Sequence, residues 1–230
     1  DKIWGGTKLK TILHKNITSD TTGESWEIST VGDDVSIISN GNFSGKCLNE
    51  IIDLYPNEIL GTAVYKKFGK QFPLLFKFID ATQDLSIQVH PNDALAKKRH
   101  NAFGKTEMWY IMQADSNARL IVGFKQDSSA AEYIQHLEDK KLVSILDEIP
   151  AQEGDVYFLA TGTIHAIGAG IVLAEIQQTS DITYRVYDWD RVDANGNSRE
   201  LHTELALEAI NYHRLDTKRE YEEVVNHANT

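Results

Sequence analysis

The chain has one cysteine, Cys47, in 230 residues. An internal disulfide is therefore excluded, and nothing around Cys47 marks it as reactive. This usage favours a reducing, cytoplasmic compartment. Long hydrophobic runs are also missing: none approaches the roughly 20 residues needed to cross a bilayer. The first residues, Asp1-Lys2-Ile3-Trp4-Gly5-Gly6, hold neither the apolar core of a signal peptide nor an initiating Met. An excess of basic charge is lacking too. The formal net charge of −11 argues against a nucleic-acid partner, which would require a basic face. A phosphorylated small molecule would need a local basic pocket, so single Lys and Arg residues near any site carry weight. Internal repeats and low-complexity segments are absent.

What is present is ordinary globular material, 41% apolar and 25% charged, enough for one large domain with a sizeable core. Short β-rich runs dominate. Ser25–Ser29 and Val35–Ser39 alternate between Gly/Asp/Asn clusters, and 73–79 is an apolar run broken only by Lys77. Leu85–His90, Met108–Met112, Ala118–Val122, Val156–Leu159 and Ile171–Ile176 follow. Strands this short with frequent turn signals predict a mainly β sandwich or barrel. Helical segments are expected near 48–68 (broken at Pro56 and Gly61), 129–146 and 203–213. Ser129 with Glu132 forms a capping box for the second, and Thr203 is the expected cap of the third. Asn92–His100 reads as a charged turn and helix. The tail after about Thr217, with Glu220, Glu222 and Glu223, reads as solvated.

Three segments carry chemistry. In Leu85-Ser86-Ile87-Gln88-Val89-His90-Pro91, residues two apart share a strand face, so Ser86, Gln88 and His90 project together. That face is either the wet side of an edge strand or the lining of a site. In Gly104-Lys105-Thr106-Glu107, Lys105 and Glu107 share a face, as an exposed ion pair would. In the third, a strand at 156–159 enters a glycine turn, Thr161-Gly162-Thr163, and His165 begins the next strand. This turn resembles the second motif of the cupin superfamily, with Ala160 where Pro is usual. Together, imidazole, carboxylate and amide oxygen suit a borderline divalent ion. A set without thiolate is unlike a structural zinc site and leaves room for substrate oxygens. The other histidines (His14, His100, His136, His202, His213 and His227) are expected on the surface or in the core, with His100 worth watching between two ligand segments.

These motifs resemble one family, the type I phosphomannose isomerases in their shorter bacterial form. The resemblance rests on Gln88-Val-His-Pro91, Gly104-Lys-Thr-Glu107, the His165 turn, and the run Glu175 … Ser180-Asp181 … Arg185. Trp4-Gly5-Gly6 and Gly23-Glu24-Ser25-Trp26-Glu27 fit as well. It implies a cupin-type jelly roll with added helical segments over 1–230. The family's second, smaller C-terminal β domain is not expected within this chain. It also implies one Zn²⁺ per chain on Gln88, His90, Glu107 and His165. The activity it implies is interconversion of mannose 6-phosphate and fructose 6-phosphate through a cis-enediolate.

Three jobs follow from that chemistry: moving a proton between C1 and C2, stabilising the enediolate oxygens, and holding the phosphate. Zinc suits the second as a Lewis acid. Arg185 is always charged and cannot serve as a base near neutral pH; the resemblance assigns it to enediolate or phosphate oxygens. Lys105 is a candidate for acid–base assistance or substrate charge, and Ser86 for a phosphate or hydroxyl contact. Glu175 corresponds to a carboxylate proposed as the base, ten residues before Arg185 on what reads as the same strand. Asp181 faces the substrate side with Arg185 on that reading, either as a substrate contact or, in the favoured version, as the ion-pair partner orienting it. Lys97, Lys98 and Arg99 could attract phosphate or simply form a solvated face. Two other functions fit the fold: an iron-dependent cupin oxygenase and a non-catalytic sugar-binding module. A Gln ligand, a lysine beside the Glu and the wide spacing of the ligands disfavour the first. Glu175 and Arg185 disfavour the second.

Overall fold

The computed structural model describes residues 1–192 and 195–221. Its strands, in chain order, are β1 (Glu24–Ile28), β2 (Thr30–Val31), β3 (Asp34–Val35), β4 (Leu74–Ala81), β5 (Ile87–Val89), β6 (Glu107–Ala114) and β7 (Arg119–Phe124). They continue as β8 (Leu146–Pro150), β9 (Val156–Leu159), β10 (His165–Ile167), β11 (Ile171–Gln178), β12 (Tyr184–Tyr187) and β13 (Lys218–Arg219). The helices are α1 (Lys8–Thr11), α2 (Leu48–Leu54), α3 (Pro56–Leu60), α4 (Thr62–Phe68), α5 (Asp93–His100), α6 (Ala130–Glu138) and α7 (Thr203–Ala209).

Two antiparallel sheets make the body. One has the order β1-β4-β11-β6-β9-β13 and the other β12-β5-β10-β7-β8. Apart from β7 and β8, neighbours in the two sheets are not consecutive strands, as in a jelly roll, and the mainly β cupin-type architecture is the one expected. Alternation explains why the sheets pack. Ile79, Trp109, Ile111, Tyr157 and Leu173 from the larger sheet meet Leu120, Val122 and Ile167 from the smaller. Each such fully buried aliphatic side chain contributes roughly 1.5–3 kcal/mol of transfer free energy. The opposite face of the smaller sheet presents Ile87, Val89, Ile121, Tyr184 and Val186, and these are covered by Tyr133 of α6 and Ala206 of α7. Both faces of the smaller sheet are therefore buried. Along the inner face of the larger sheet, the apolar positions give way to Lys77, Glu107, Glu175 and Gln177, all buried. This polar end of the sandwich is where the site lies.

The helical segments follow local signals. Pro56 sits at the first position of α3, where no N–H is required. Asn92 caps α5 by accepting from Leu95 N–H (2.9 Å), and Ser129 caps α6 by accepting from Glu132 N–H (3.1 Å). Several expectations change. The 129–146 segment is α6 followed by a separate 3-10 turn at Leu142–Ile145. Thr203 is the first residue of α7, not its cap; His202 holds that position, and the helix ends at Ala209. The expected strand Val35–Ser39 shrinks to β3, because Ile37 makes only an isolated bridge to Cys47. Glu222, Glu223 and His227 lie outside the described residues.

Candidate metal centre and active site

β5 is not an edge strand. It lies between β12 and β10, with Gln88 opposite Arg185 on one side and His165 on the other. Since Ile87 and Val89 point into the outer core, Ser86, Gln88 and His90 face the sandwich interior. Ser86 and His90 are buried there. Across the sandwich, β6 contributes Glu107 and the residues before it contribute Lys105, both buried rather than an exposed surface pair. The Gly162 turn delivers His165. Gly162 takes φ +86°, and a Cβ there would lie 2.8 Å from the Ala209 carbonyl oxygen; its N–H bonds to the His90 carbonyl at 3.0 Å. One glycine thus ties both imidazole-bearing segments together. Gly162→Ala should lower stability by about 1–3 kcal/mol, from the unfavourable φ and the displaced backbone, measurable by urea unfolding; an unchanged midpoint would contradict this role.

Both imidazoles are oriented by their Nδ1 atoms. His90 Nδ1 lies 2.8 Å from the Ile182 carbonyl, and His165 Nδ1 lies 2.8 Å from the Thr163 carbonyl. Each Nδ1–H therefore donates to a carbonyl, leaving both Nε2 lone pairs turned inward. They converge on Glu107: His90 Nε2 is 3.5 Å from Oε2 and His165 Nε2 is 3.2 Å from Oε1. The Gln88 amide reaches 3.3 Å from His165 Nε2, and a half-turn of the amide presents its oxygen to the same point. Burial, and then the Lys105 ammonium, push His90 down to about 3. Burial also lowers His165. Both rings are therefore neutral and available as donors. Burial alone would raise Glu107, but Lys105, His165 and His90 outweigh it and hold the carboxyl well below its usual range.

These observations test whether a metal fits. Among the described residues, His90, Glu107 and His165 form the one group of three such side chains able to hold an ion, with ligand atoms within 4.8 Å of one another. Neither Glu107 oxygen accepts a hydrogen bond, although both are buried. A buried carboxylate without hydrogen bonds is costly, and a cation between the two imidazoles would satisfy it. The donor set fits a divalent metal.

A second charged layer adjoins the first. The Lys105 ammonium lies 3.2 Å from His90 Nε2, 3.4 Å from Glu107 and 3.7 Å from Glu175. Glu175 is also 3.5 Å from Lys77, which in turn is 3.9 Å from Glu24. Burial, followed by the nearby Glu107 charge, raises Glu175 to about 7. Glu175, Glu24 and Glu107 keep the buried Lys77 ammonium charged, overcoming the effect of burial. Lys77 and Glu24 are site neighbours outside the three chemistry-bearing segments of the sequence. The signal was the lone lysine in the apolar run of β4.

Glu175 and Arg185 do not share a strand. Glu175 is on β11 in the larger sheet and Arg185 on β12 in the smaller, joined by a connection that carries Asp181. Arg185 still faces inward, because its neighbours Tyr184 and Val186 are in the outer core. Asp181 is exposed and is not the partner that orients Arg185. Instead, Arg185 Nη1 donates to the Glu200 carbonyl at 2.9 Å, and its Nε is buried with no hydrogen-bond partner. Burial lowers its basicity, helped by Arg199 and Arg191. Those two arginines both grip Asp188. His100 stands outside the metal cluster, bonded to Tyr184 Oη at 2.8 Å. Arg99 bonds to the Leu205 carbonyl and Glu208 of α7, so its charge is structural.

The model of the type I phosphomannose isomerase catalytic domain matches residues 1–117. A Bacillus subtilis protein named probable mannose-6-phosphate isomerase GmuF is 42% identical over 94% of this chain and 67% of its own length. The mannose-6-phosphate isomerase of Streptococcus mutans is 41% identical over 91% of this chain and 64% of its own length. The crystal structure of mannose 6-phosphate isomerase from Bacillus subtilis superposes with a TM-score of 0.86 at 39% identity, covering 94% of this chain and 67% of that one. The chain thus spans about two thirds of the length of these relatives. With the family model matching half the chain and relatives near 40% identity matching almost all of it, this chain belongs to the type I phosphomannose isomerase family.

Proposed function

We propose that this chain is a metal-dependent aldose–ketose isomerase. It interconverts mannose 6-phosphate and fructose 6-phosphate by proton transfer through a cis-enediolate. The observation that carries the reading is the buried Glu107 carboxylate, free of hydrogen bonds and faced by two oriented, neutral imidazoles. Gln88, His90, Glu107 and His165 would hold one Zn²⁺, which supplies Lewis-acid charge for the oxygens on C1 and C2.

The remaining work falls to side chains. Glu175 is the proposed base: it is buried, raised towards neutrality, and flanked by two ammonium groups. A carboxylate with a proton affinity near neutrality can both take and return a proton. Lys105, within reach of both Glu107 and Glu175, offers positive charge to developing enediolate oxygens or a proton to the reacting hydroxyl. Lys77 keeps the outer side of Glu175 cationic. Arg185, with an unpartnered Nε facing inward beside Gln88, binds phosphate or enediolate oxygens, and Ser86 lies on the same face as a hydroxyl contact. The acidic chain admits an anionic substrate because these cations line one end of the sandwich. No helix among the described residues is long and apolar enough to cross a membrane. We place the enzyme in the cytoplasm, acting on a small sugar phosphate and on no nucleic acid.

A coupled assay on mannose 6-phosphate, run with and without a strong chelator, tests this reading. Turnover that disappears on chelation and returns with Zn²⁺ is expected. Turnover indifferent to thorough chelation would remove the metal from the mechanism, and oxygen uptake in place of isomerisation would favour an iron oxygenase.

A further inference from the structure

β12 is an edge strand of the smaller sheet. Among the described residues, no neighbouring strand bonds its outward N–H and C=O groups. At Arg185 both groups are nonetheless satisfied, and by one residue. Arg185 N–H donates to His202 Nδ1 at 2.9 Å, and His202 N–H donates to the Arg185 carbonyl at 2.7 Å. An imidazole and its own backbone amide thus replace the missing strand at a single position. Two residues earlier, the Glu200 carbonyl accepts from Arg185 Nη1, so the segment 200–202 holds Arg185 at three points.

The hold is itself anchored. His202 occupies the cap position of α7. Helix α7 is fastened to α5 through Arg99, which donates to the Leu205 carbonyl. Tyr184, next to Arg185, packs its buried ring against His202 with ring centroids 6.4 Å apart. By contrast, no carboxylate holds the Arg185 guanidinium in an ion pair among the described residues. Asp188, whose charge acts on Arg185, is gripped by Arg191 and Arg199 instead. The guanidinium is therefore aimed from its backbone and by the Glu200 carbonyl, and its Nε is left without a hydrogen-bond partner.

We infer that His202 is a positioning residue: it fixes the backbone of Arg185 so that the guanidinium meets the anionic substrate beside Gln88. This deepens the isomerase reading and rests on it for the nature of the substrate. The acceptor atom at Nδ1 carries the role. Asparagine places its Oδ1 where Nδ1 stands, whereas leucine keeps bulk and loses the acceptor.

The test compares His202→Leu and His202→Asn, each in the wild-type and Arg185→Ala backgrounds, by steady-state kinetics on mannose 6-phosphate. In the wild-type background, His202→Leu should lower kcat/KM about tenfold or more, and His202→Asn should stay within about threefold. In the Arg185→Ala background, His202→Leu should change kcat/KM by less than about twofold, because residues acting through one another are not additive. Equal losses in both backgrounds would overturn the inference and leave His202 a general structural residue. Exchange of the Arg185 amide, followed by NMR, tests the same hold without turnover. Protection should be lost in His202→Leu and kept in His202→Asn. If the unmodified chain isomerised nothing, the functional reading would fail, and amide exchange would still decide the hold: protection persisting in His202→Leu overturns it, loss restored by His202→Asn sustains it.

Discussion

Replacing Glu107 by Gln is expected to abolish isomerisation and to lower metal affinity by more than about 100-fold. Loss of a group that merely orients a ligand already costs 10- to 100-fold, and Glu107 is proposed as a ligand itself. The substitution preserves shape, so its effect reports charge. Glu107 supplies the only carboxylate in the proposed ligand set, and it faces Lys105 at 3.4 Å and both imidazoles. Without its charge, a divalent cation would sit among two neutral rings and two amides, close to two ammonium groups. Metal analysis of the purified variant, beside a circular dichroism spectrum to show that the fold persists, is the check. A folded Glu107→Gln protein that kept a full equivalent of metal would sink the assignment.

Glu175→Gln should behave differently, losing turnover while keeping metal. General base catalysis contributes on the order of 10²–10⁴-fold, and that loss should fall on kcat. Glu175 is held between Lys77 and Lys105 and is buried to 3% exposure. It does not belong to the convergent group formed by His90, Glu107 and His165, so a full metal complement is expected. The alternative base is Lys105. Lys77 is a poorer candidate because its neighbours keep it charged. A kcat loss below tenfold in Glu175→Gln, with a large loss in Lys105→Met, would transfer the role to Lys105.

Much of this site could be read from the sequence because its signals are local. Gln88 on β5 and His90 just after it are two residues apart, and so are Lys105 just before β6 and Glu107 at its start. A period of two then places each pair on one face regardless of the fold. The Gly162 turn is equally local. What the period cannot reveal is which strands become neighbours. β5 could have been a wet edge, and only its placement between β12 and β10 excludes that. The pairing of β4 with β11 sets Lys77 directly opposite Glu175, nearly one hundred residues later. That register depends on the whole jelly roll, so Lys77 was visible only as an oddity in an apolar run. The opposite error arose between Glu175 and Arg185. Their spacing suits one continuous strand, but the chain leaves the larger sheet after Gln178 and enters the smaller at Tyr184. Both side chains still reach the interior, from opposite walls. Asp181, in the crossing, is exposed and unpaired with Arg185 for the same reason.

The central claim is that one metal ion, held by residues from both sheets, is required for sugar-phosphate isomerisation. It is tested most directly by titrating metal-free protein with Zn²⁺ while following mannose 6-phosphate turnover. Activity should rise from near zero and break sharply at one equivalent per chain. Full activity before any metal is added, or a rise with no relation to bound metal, would contradict the account.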